Sequence, residues 1–274
     1  MKQILILVSL IFATATVNCQ LSTVIPSSSS LAETSVANTQ NYSAFTNPST
    51  LGYIAVSEFG FQVENKYLIN ELSTKSVQLA LKSKYLNTSI TFSHLGYSLY
   101  HEMLIGACFA KNFGDKFSLG LAFNYYTAFY HASNSYRGAI VPQVGLTTKL
   151  SSQFSIGFSV FNPIQSTIKS EYTIKRIPSI FSLGTEYFFS PEFVWRTQID
   201  KELSSNYRFA SAFEYKMLKS ATVKVGAYGS EYLVPCVGLG IKIGTFHIDL
   251  NCETHPILGL TTFVGIKYKF QKNN

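Results

Sequence analysis

Charge is scarce in this chain. Asp, Glu, Lys and Arg supply 14% of its 274 residues, well under the usual quarter. A disordered chain combines low hydrophobicity with high charge. Apolar residues make up 46% here, so that class is excluded. Eight prolines and 17 glycines are too few for a collagen-like repeat. Four cysteines do not make a disulfide scaffold, and no C-x-x-C or Cys/His cluster suggests a metal. No window holds 18 consecutive apolar residues, so no transmembrane helix is expected. What is abundant is aromatic: 17 Tyr and 22 Phe against a single Trp. The length suits one large domain or two small ones. Few charges, many aromatics and an ordinary apolar fraction fit a β protein in an unusual solvent.

The first 19 residues read as a secretory signal peptide. Met1-Lys2-Gln3 is basic, Ile4 to Phe12 is apolar, and small residues follow. The apolar run is too short to span a bilayer. Cleavage is expected before Gln20. The rival reading, a lipid-anchored Cys19, is disfavoured because Asn18 stands where a small residue is wanted. Loss of Lys2 leaves 21 basic against 15 acidic residues. These charges are scattered, so no nucleic-acid stripe is present. Cys108, Cys236 and Cys252 remain and read as small apolar fillers.

From residue 53 to 270 the dominant pattern is strict alternation. Phe117, Leu119, Leu121, Phe123 and Tyr125 share one face, with Ser118, Gly120, Ala122, Asn124 and Tyr126 on the other. Period two means strands. Fourteen segments are expected: 53–64, 75–85, 88–97, 102–112, 116–128, 138–150, 153–163, 177–189, 192–201, 206–217, 220–228, 233–244, 245–253 and 257–270. Most run ten to thirteen residues, as a tilted strand crossing a bilayer requires, whereas soluble strands average about five or six. Connections after even segments are short, and three of those after odd segments are longer: 65–74, 129–137 and 164–176. Outer-membrane barrels have short periplasmic turns and longer external loops.

The apolar stripe must then face lipid, where Lys or Arg costs about 2–4 kcal/mol at mid-depth. The opposite face collects the charges and gives the candidate lumen lining: Glu58, Lys82, Arg196, Asp200, Glu214, Lys224, Lys242, His247, Asp249 and Lys267. Inward glycines, among them Gly120, Gly145, Gly157 and Gly238, either make room for an occupant or relieve curvature. Residues 20–52 are rich in Ser, Thr, Ala and Asn and end in the turn signal around Asn47 and Pro48. They form either a free tail or a plug folded into the barrel.

No G-x-S-x-G elbow and no H-E-x-x-H helix occurs. His101 and Glu102 would point to opposite faces of a strand, which is poor catalytic geometry. His247, Asp249 and Glu253 share a face. They read either as a cation site or, more simply, as lumen charges neutralised by Lys242 and Lys267 on the flanking strands. No enzyme activity, no cofactor and no bound metal is expected.

Three features carry a family resemblance: Asn47-Pro48-Ser49-Thr50-Leu51 after an Ala-, Ser- and Asn-rich start, the fourteen strands, and Leu95-Gly96-Tyr97-Ser98-Leu99-Tyr100 after a strand. With them the chain resembles the FadL-like outer-membrane barrels, in particular the PorV/PorQ-like branch of Bacteroidota. The first element is similar to an Asn-Pro-Ala-Gly-Leu element of that family. The resemblance implies an N-terminal hatch inside the barrel. It also implies either passage of hydrophobic molecules through a lateral opening or, as in PorV-like members, an accessory role in type IX secretion. The short external loops depart from the pattern, as do the residues Gln271-Lys272-Asn273-Asn274 after the last aromatic.

The expectation is an all-β protein: a transmembrane antiparallel β-barrel of about 14 strands with an N-terminal plug segment. Its parts are a signal peptide (1–19), a plug or hatch (20–52) that includes Asn47 and Pro48, the barrel (53–270) and a tail (271–274). It would sit in the outer membrane of a Gram-negative bacterium, in contact with outer-membrane lipid, and pass a small hydrophobic ligand. One alternative is a non-transporting barrel that docks an envelope or secreted protein. Another is a general porin.

Overall fold

A computed structural model describes residues 25–43, 45–114, 116–131, 135–169 and 174–271. The expected signal peptide and residues 272–274 lie outside these.

The strands are β1 (Glu58–Asn65), β2 (Ser73–Leu81), β3 (Asn87–Gly96), β4 (Tyr100–Phe113), β5 (Phe117–Tyr130), β6 (Ser135–Lys149) and β7 (Phe154–Phe161). A two-stranded hairpin follows, β8 (Thr167–Lys169) and β9 (Ile174–Arg176). Then come β10 (Ile180–Phe188), β11 (Phe193–Glu202), β12 (Tyr207–Leu218), β13 (Ala221–Gly229), β14 (Leu233–Ile243), β15 (Phe246–His255) and β16 (Gly259–Lys269). All but β8 and β9 form one closed antiparallel barrel of fourteen strands, with β1 sealed to β16 from Glu58↔Lys269 to Asn65↔Thr262. Closure leaves no sheet edge, the condition for placing a sheet in hydrocarbon.

Alternation sets the faces. On β5, Ser118, Gly120, Ala122, Asn124, Tyr126 and Ala128 are buried, while Leu119, Leu121, Phe123 and Tyr125 are exposed, Phe123 by 55%. This inverts a soluble protein: small and polar groups inside, large apolar groups outside. A contiguous apolar surface of this extent belongs against lipid. Phe189, Phe193, Trp195, Phe213 and Tyr215 stack on it from β10 to β12, with centroids 5.3 Å (Phe189–Phe193), 5.8 Å (Phe193–Phe213) and 6.0 Å (Trp195–Phe213) apart. They lie beside the 189–192 turn, as an interfacial aromatic girdle would.

Two departures from the expected segments have physical causes. The first wall strand starts at Glu58, because Pro48–Tyr53 is a 3-10 helix. Asn47 caps it by accepting the Ser49 N–H at 3.0 Å, and Pro48 occupies its first turn. The second concerns β6. It pairs with β5 along its whole length, but with β7 only from Lys149↔Ser155 to Gln143↔Phe161. Pro142 stands where that ladder stops. It has no N–H to donate, and proline in sheets is confined to edges. Beyond it the second edge of β6 has no strand partner. Residues 162–169 cover this edge instead: Asn162 N donates to Pro142 O at 2.9 Å and Ser166 Oγ to Ile140 O at 2.5 Å.

Candidate functional site: a filled, two-sided lumen

Residues 25–56 lie against the inner face of the wall and touch β1, β3 to β7 and β10 to β16. Asn47 is fully buried. Its Nδ2 donates to Val36 O at 2.6 Å and to Thr147 Oγ1 at 3.1 Å, and its Oδ1 accepts from Ser49 Oγ at 2.7 Å. Thr39 Oγ1 donates to Glu186 Oε1 at 2.7 Å, Lys224 Nζ to Ser29 O at 2.8 Å, and Lys267 Nζ to Tyr42 O at 3.0 Å. The inward glycines make these approaches possible. A Cβ on Gly120 would stand 2.3 Å from Pro48 C, on Gly145 2.0 Å from Asn47 Oδ1, and on Gly157 2.1 Å from Val36 O.

This yields a contrast. Gly157→Ala drives a methyl group into the Val36 backbone, an overpacking that costs about 1–3 kcal/mol. Gly240→Ala meets nothing nearer than 3.4 Å. Limited proteolysis should cut between residues 25 and 56 several-fold faster in Gly157→Ala and at the native rate in Gly240→Ala. Equal rates would separate the glycine from the segment.

One side of the lumen is ionic. On β10 to β12, Arg196 Nε donates to Glu186 at 2.8 Å, and its Nη1 stands 2.7 Å from Glu214 as a charge contact without hydrogen-bond alignment. Arg208 Nη1 meets Asp200 Oδ2 at 2.6 Å, the pair being direct register partners. Its Nη2 holds Ala32 O at 2.7 Å and lies 3.4 Å from Glu33. Burial alone would raise the Glu33 carboxyl, but Arg208 and Lys66 outweigh it and hold the group below its ordinary value.

The sequence expectation for Asp249 needs a correction. Its partner is Lys224, at 2.6 Å, rather than Lys242 or Lys267. Lys224 reaches across β14 over Gly240, where its Cε and Asp249 Oδ1 come within 3.6 and 3.4 Å of the place a Cβ would take. Lys267 instead meets Glu58 at 3.1 Å. Lys82 is also corrected. β2 ends at Leu81, so Lys82 is exposed in the following turn and lines no lumen. Lys242 and His247 stand at the inner face of the barrel mouth that holds the strand termini. His101 and Glu102 fall on opposite faces, Glu102 buried inside with Lys175 and Tyr100. Among the described residues no group of three His, Cys, Asp or Glu is arranged to hold a metal.

Sequence reasoning missed Glu186 and Arg208. Both were findable by parity, since Glu186 follows Ser182 and Gly184, and Arg208 precedes Ala210, Ala212 and Glu214, all on the inner face.

The other side of the lumen is apolar. Leu95, Leu104, Tyr126, Val141, Phe161 and Ile180 are buried from β3 to β10, and Ile168 and Ile177 from the β8–β9 segment join them. A cavity of about 50 Å³ lies where this surface meets the N-terminal segment. Ile25, Pro26, Val36, Phe45, Phe161 and Ile180 form its apolar side, and Gln143, Gln198, Glu33 and Asp200 are among the polar groups on the other. Gln143 and Phe161 are the last register pair before β6 loses its partner. The cavity therefore adjoins the place where the wall ladder ends.

The sequence matches no protein-family model and no curated protein. Solved structures do match its fold. The Pseudomonas putida toluene transporter TodX superposes with a TM-score of 0.60 at 10% identity, over 87% of this chain and 95% of its own. A Pseudomonas aeruginosa FadL homologue gives 0.60 at 10% identity, over 83% and 94%. The monoaromatic hydrocarbon channel CymD gives 0.60 at 10%, over 83% and 92%. The fold is that of the FadL-type channels. At this identity the likeness is one of architecture, and the lumen chemistry has to be read from this chain's own residues.

Proposed function

We propose that this protein is an outer-membrane channel of a Gram-negative bacterium that passes a small hydrophobic molecule. Residues 25–56 act as its plug, and the ligand moves between the apolar half of the lumen and the lipid side past the edge of β6 beyond Pro142, where the chain after Phe161 stands in for a strand. The observation that carries this reading is the coincidence of the Pro142 ladder break with a small internal cavity that has the apolar cluster on one side. The ionic half serves to fix the segment. Support also comes from the architecture shared with TodX and CymD, which are described as hydrocarbon channels.

Labelled toluene is a suitable probe. A Gram-negative host without its own hydrocarbon channel should take it up several-fold faster when it makes this protein. Val141→Trp, which fills the buried position beside the break, should return uptake to background while the barrel keeps its heat-modifiable migration on gels. No uptake by a folded wild-type barrel would sink the hydrophobic reading. It would favour the competing role implied by the PorV/PorQ-like resemblance, docking of an envelope or type IX secretion partner.

A further inference from the structure

We infer that the barrel mouth at the strand termini is a binding site for a small multivalent anion bearing phosphate or carboxylate oxygens. The site does not depend on the hydrophobic route proposed above. A cavity of about 220 Å³ opens there, floored by Gln40 and Asn41 of the N-terminal segment. Its wall comes from β11 to β16 and the turns 189–192 and 219–220.

The charge balance of this cavity is one-sided. Of its acidic residues, Asp249 is taken by Lys224 and Glu214 by Arg196. Glu192 accepts from Ser190 Oγ at 3.0 Å. Lys267 is taken by Glu58. Lys216, Lys219, Lys242 and Lys269 also line the cavity, and none of the four has an ion pair among the described residues. Four unneutralised ammonium groups thus stand against the single carboxylate of Glu192.

The neutral groups lean the same way. His247 contributes a buried Nδ1 with no hydrogen-bond partner, and Ser220, Thr222, Gln40 and Asn41 bring further groups able to donate. Lys242, His247 and Lys267 are consecutive register partners on β14, β15 and β16. Lys242 and the His247 imidazole therefore stand on neighbouring strands about 4.8 Å apart, and Lys267, held by Glu58, closes the row. Several donors in one row suit an anion with two or more charged groups better than a chloride ion.

Position selects the occupant. Lys216, Lys242 and Lys269 share the inner-face parity of Glu214, Gly240 and Lys267, so they face the mouth and not the lipid. A phospholipid headgroup, confined to the outside of the wall, is not the ligand. Low-dielectric walls around like charges focus the field and draw in anions.

The test uses the folded full-length barrel in a non-ionic detergent. Isothermal titration with inorganic pyrophosphate and with citrate, each at ionic strength fixed by NaCl, separates phosphate from carboxylate as the preferred oxygen donor. Saturable binding of either is the expected result. Lys216→Gln and Lys242→Gln should each weaken it roughly fivefold, the upper end for one solvent-accessible charge contact, and the double variant roughly 25-fold. Lys84→Gln, on the exposed 82–86 turn outside the cavity, should change it less than twofold. These surface lysines are not needed for closure, and heat-modifiable migration verifies the fold of each variant. The proposal is overturned if neither anion binds beyond the effect of NaCl. It is equally overturned if the lysine variants bind like wild type, or if only an acidic polypeptide such as polyglutamate binds.

Discussion

Deleting residues 20–46 should turn a silent barrel into a conducting one. In a planar bilayer the full protein is expected to show no resolvable current steps, and the deletion variant steady ones. Within that stretch, Val36 and Ala37 fill the space above Gly157, Thr39 occupies Glu186, and Tyr42 receives Lys267. Removing it unpairs several wall groups, but the vacated lumen fills with water, and a solvated polar group loses little. The wall itself is held by ladders that do not involve the segment, including the β1–β16 seam. The barrel should therefore survive the loss. Steady current through the full protein would instead make it a porin. Silence from both proteins, with the barrel folded, would point to lateral passage or to docking and would remove the aqueous path from consideration.

The second large effect concerns Arg196. Its side chain is 1% exposed and Glu186 is 0% exposed. Arg196→Met leaves two carboxylates facing each other without a cation, and breaking one partner of a buried ionic group costs about 3–5 kcal/mol. Glu186 is also the acceptor for Thr39 N at 3.1 Å, so the damage extends to the N-terminal segment. The only tryptophan of the chain is Trp195, the neighbour of Arg196 on β11. Its emission during urea unfolding in lipid vesicles reports the change directly. The triple variant Arg196→Met, Glu186→Gln, Glu214→Gln should regain most of the loss, because neutral amides need no counter-charge. A single variant as stable as wild type would show that the three groups are not mutually dependent.

The strands were legible in the sequence because a closed membrane sheet enforces one rule at every position. Each residue faces lipid or lumen, and β5 or β16 spells this out without interruption. The interior was less legible. Parity assigns Lys224 and Asp249 to the lumen but cannot say that they meet across β14, because they lie two strands apart and are not register partners. The turn at Lys82 was misjudged because Leu81 to Tyr85 keeps a strand-like composition past the last ladder pair, Leu81↔Thr88. The β8–β9 hairpin escaped notice because three-residue strands are too short for alternation to register. Pro142 was the one visible sign of the ladder break, sitting inside an otherwise uniform segment. The glycines left two readings open, and contacts with Pro48, Asn47 and Val36 decide for an occupant at Gly120, Gly145 and Gly157.

The β1–β16 seam joins the first and last strands of the wall, and the 25–56 segment lies on the inside of that seam. Lys267 of β16 grips Tyr42, and Gln62 of β1 donates to Ser27 O at 2.9 Å. The seam is thus braced from within: whatever loosens the chain at Ser27 or Tyr42 also frees Gln62 and Lys267, one on each of the two strands that close the ring.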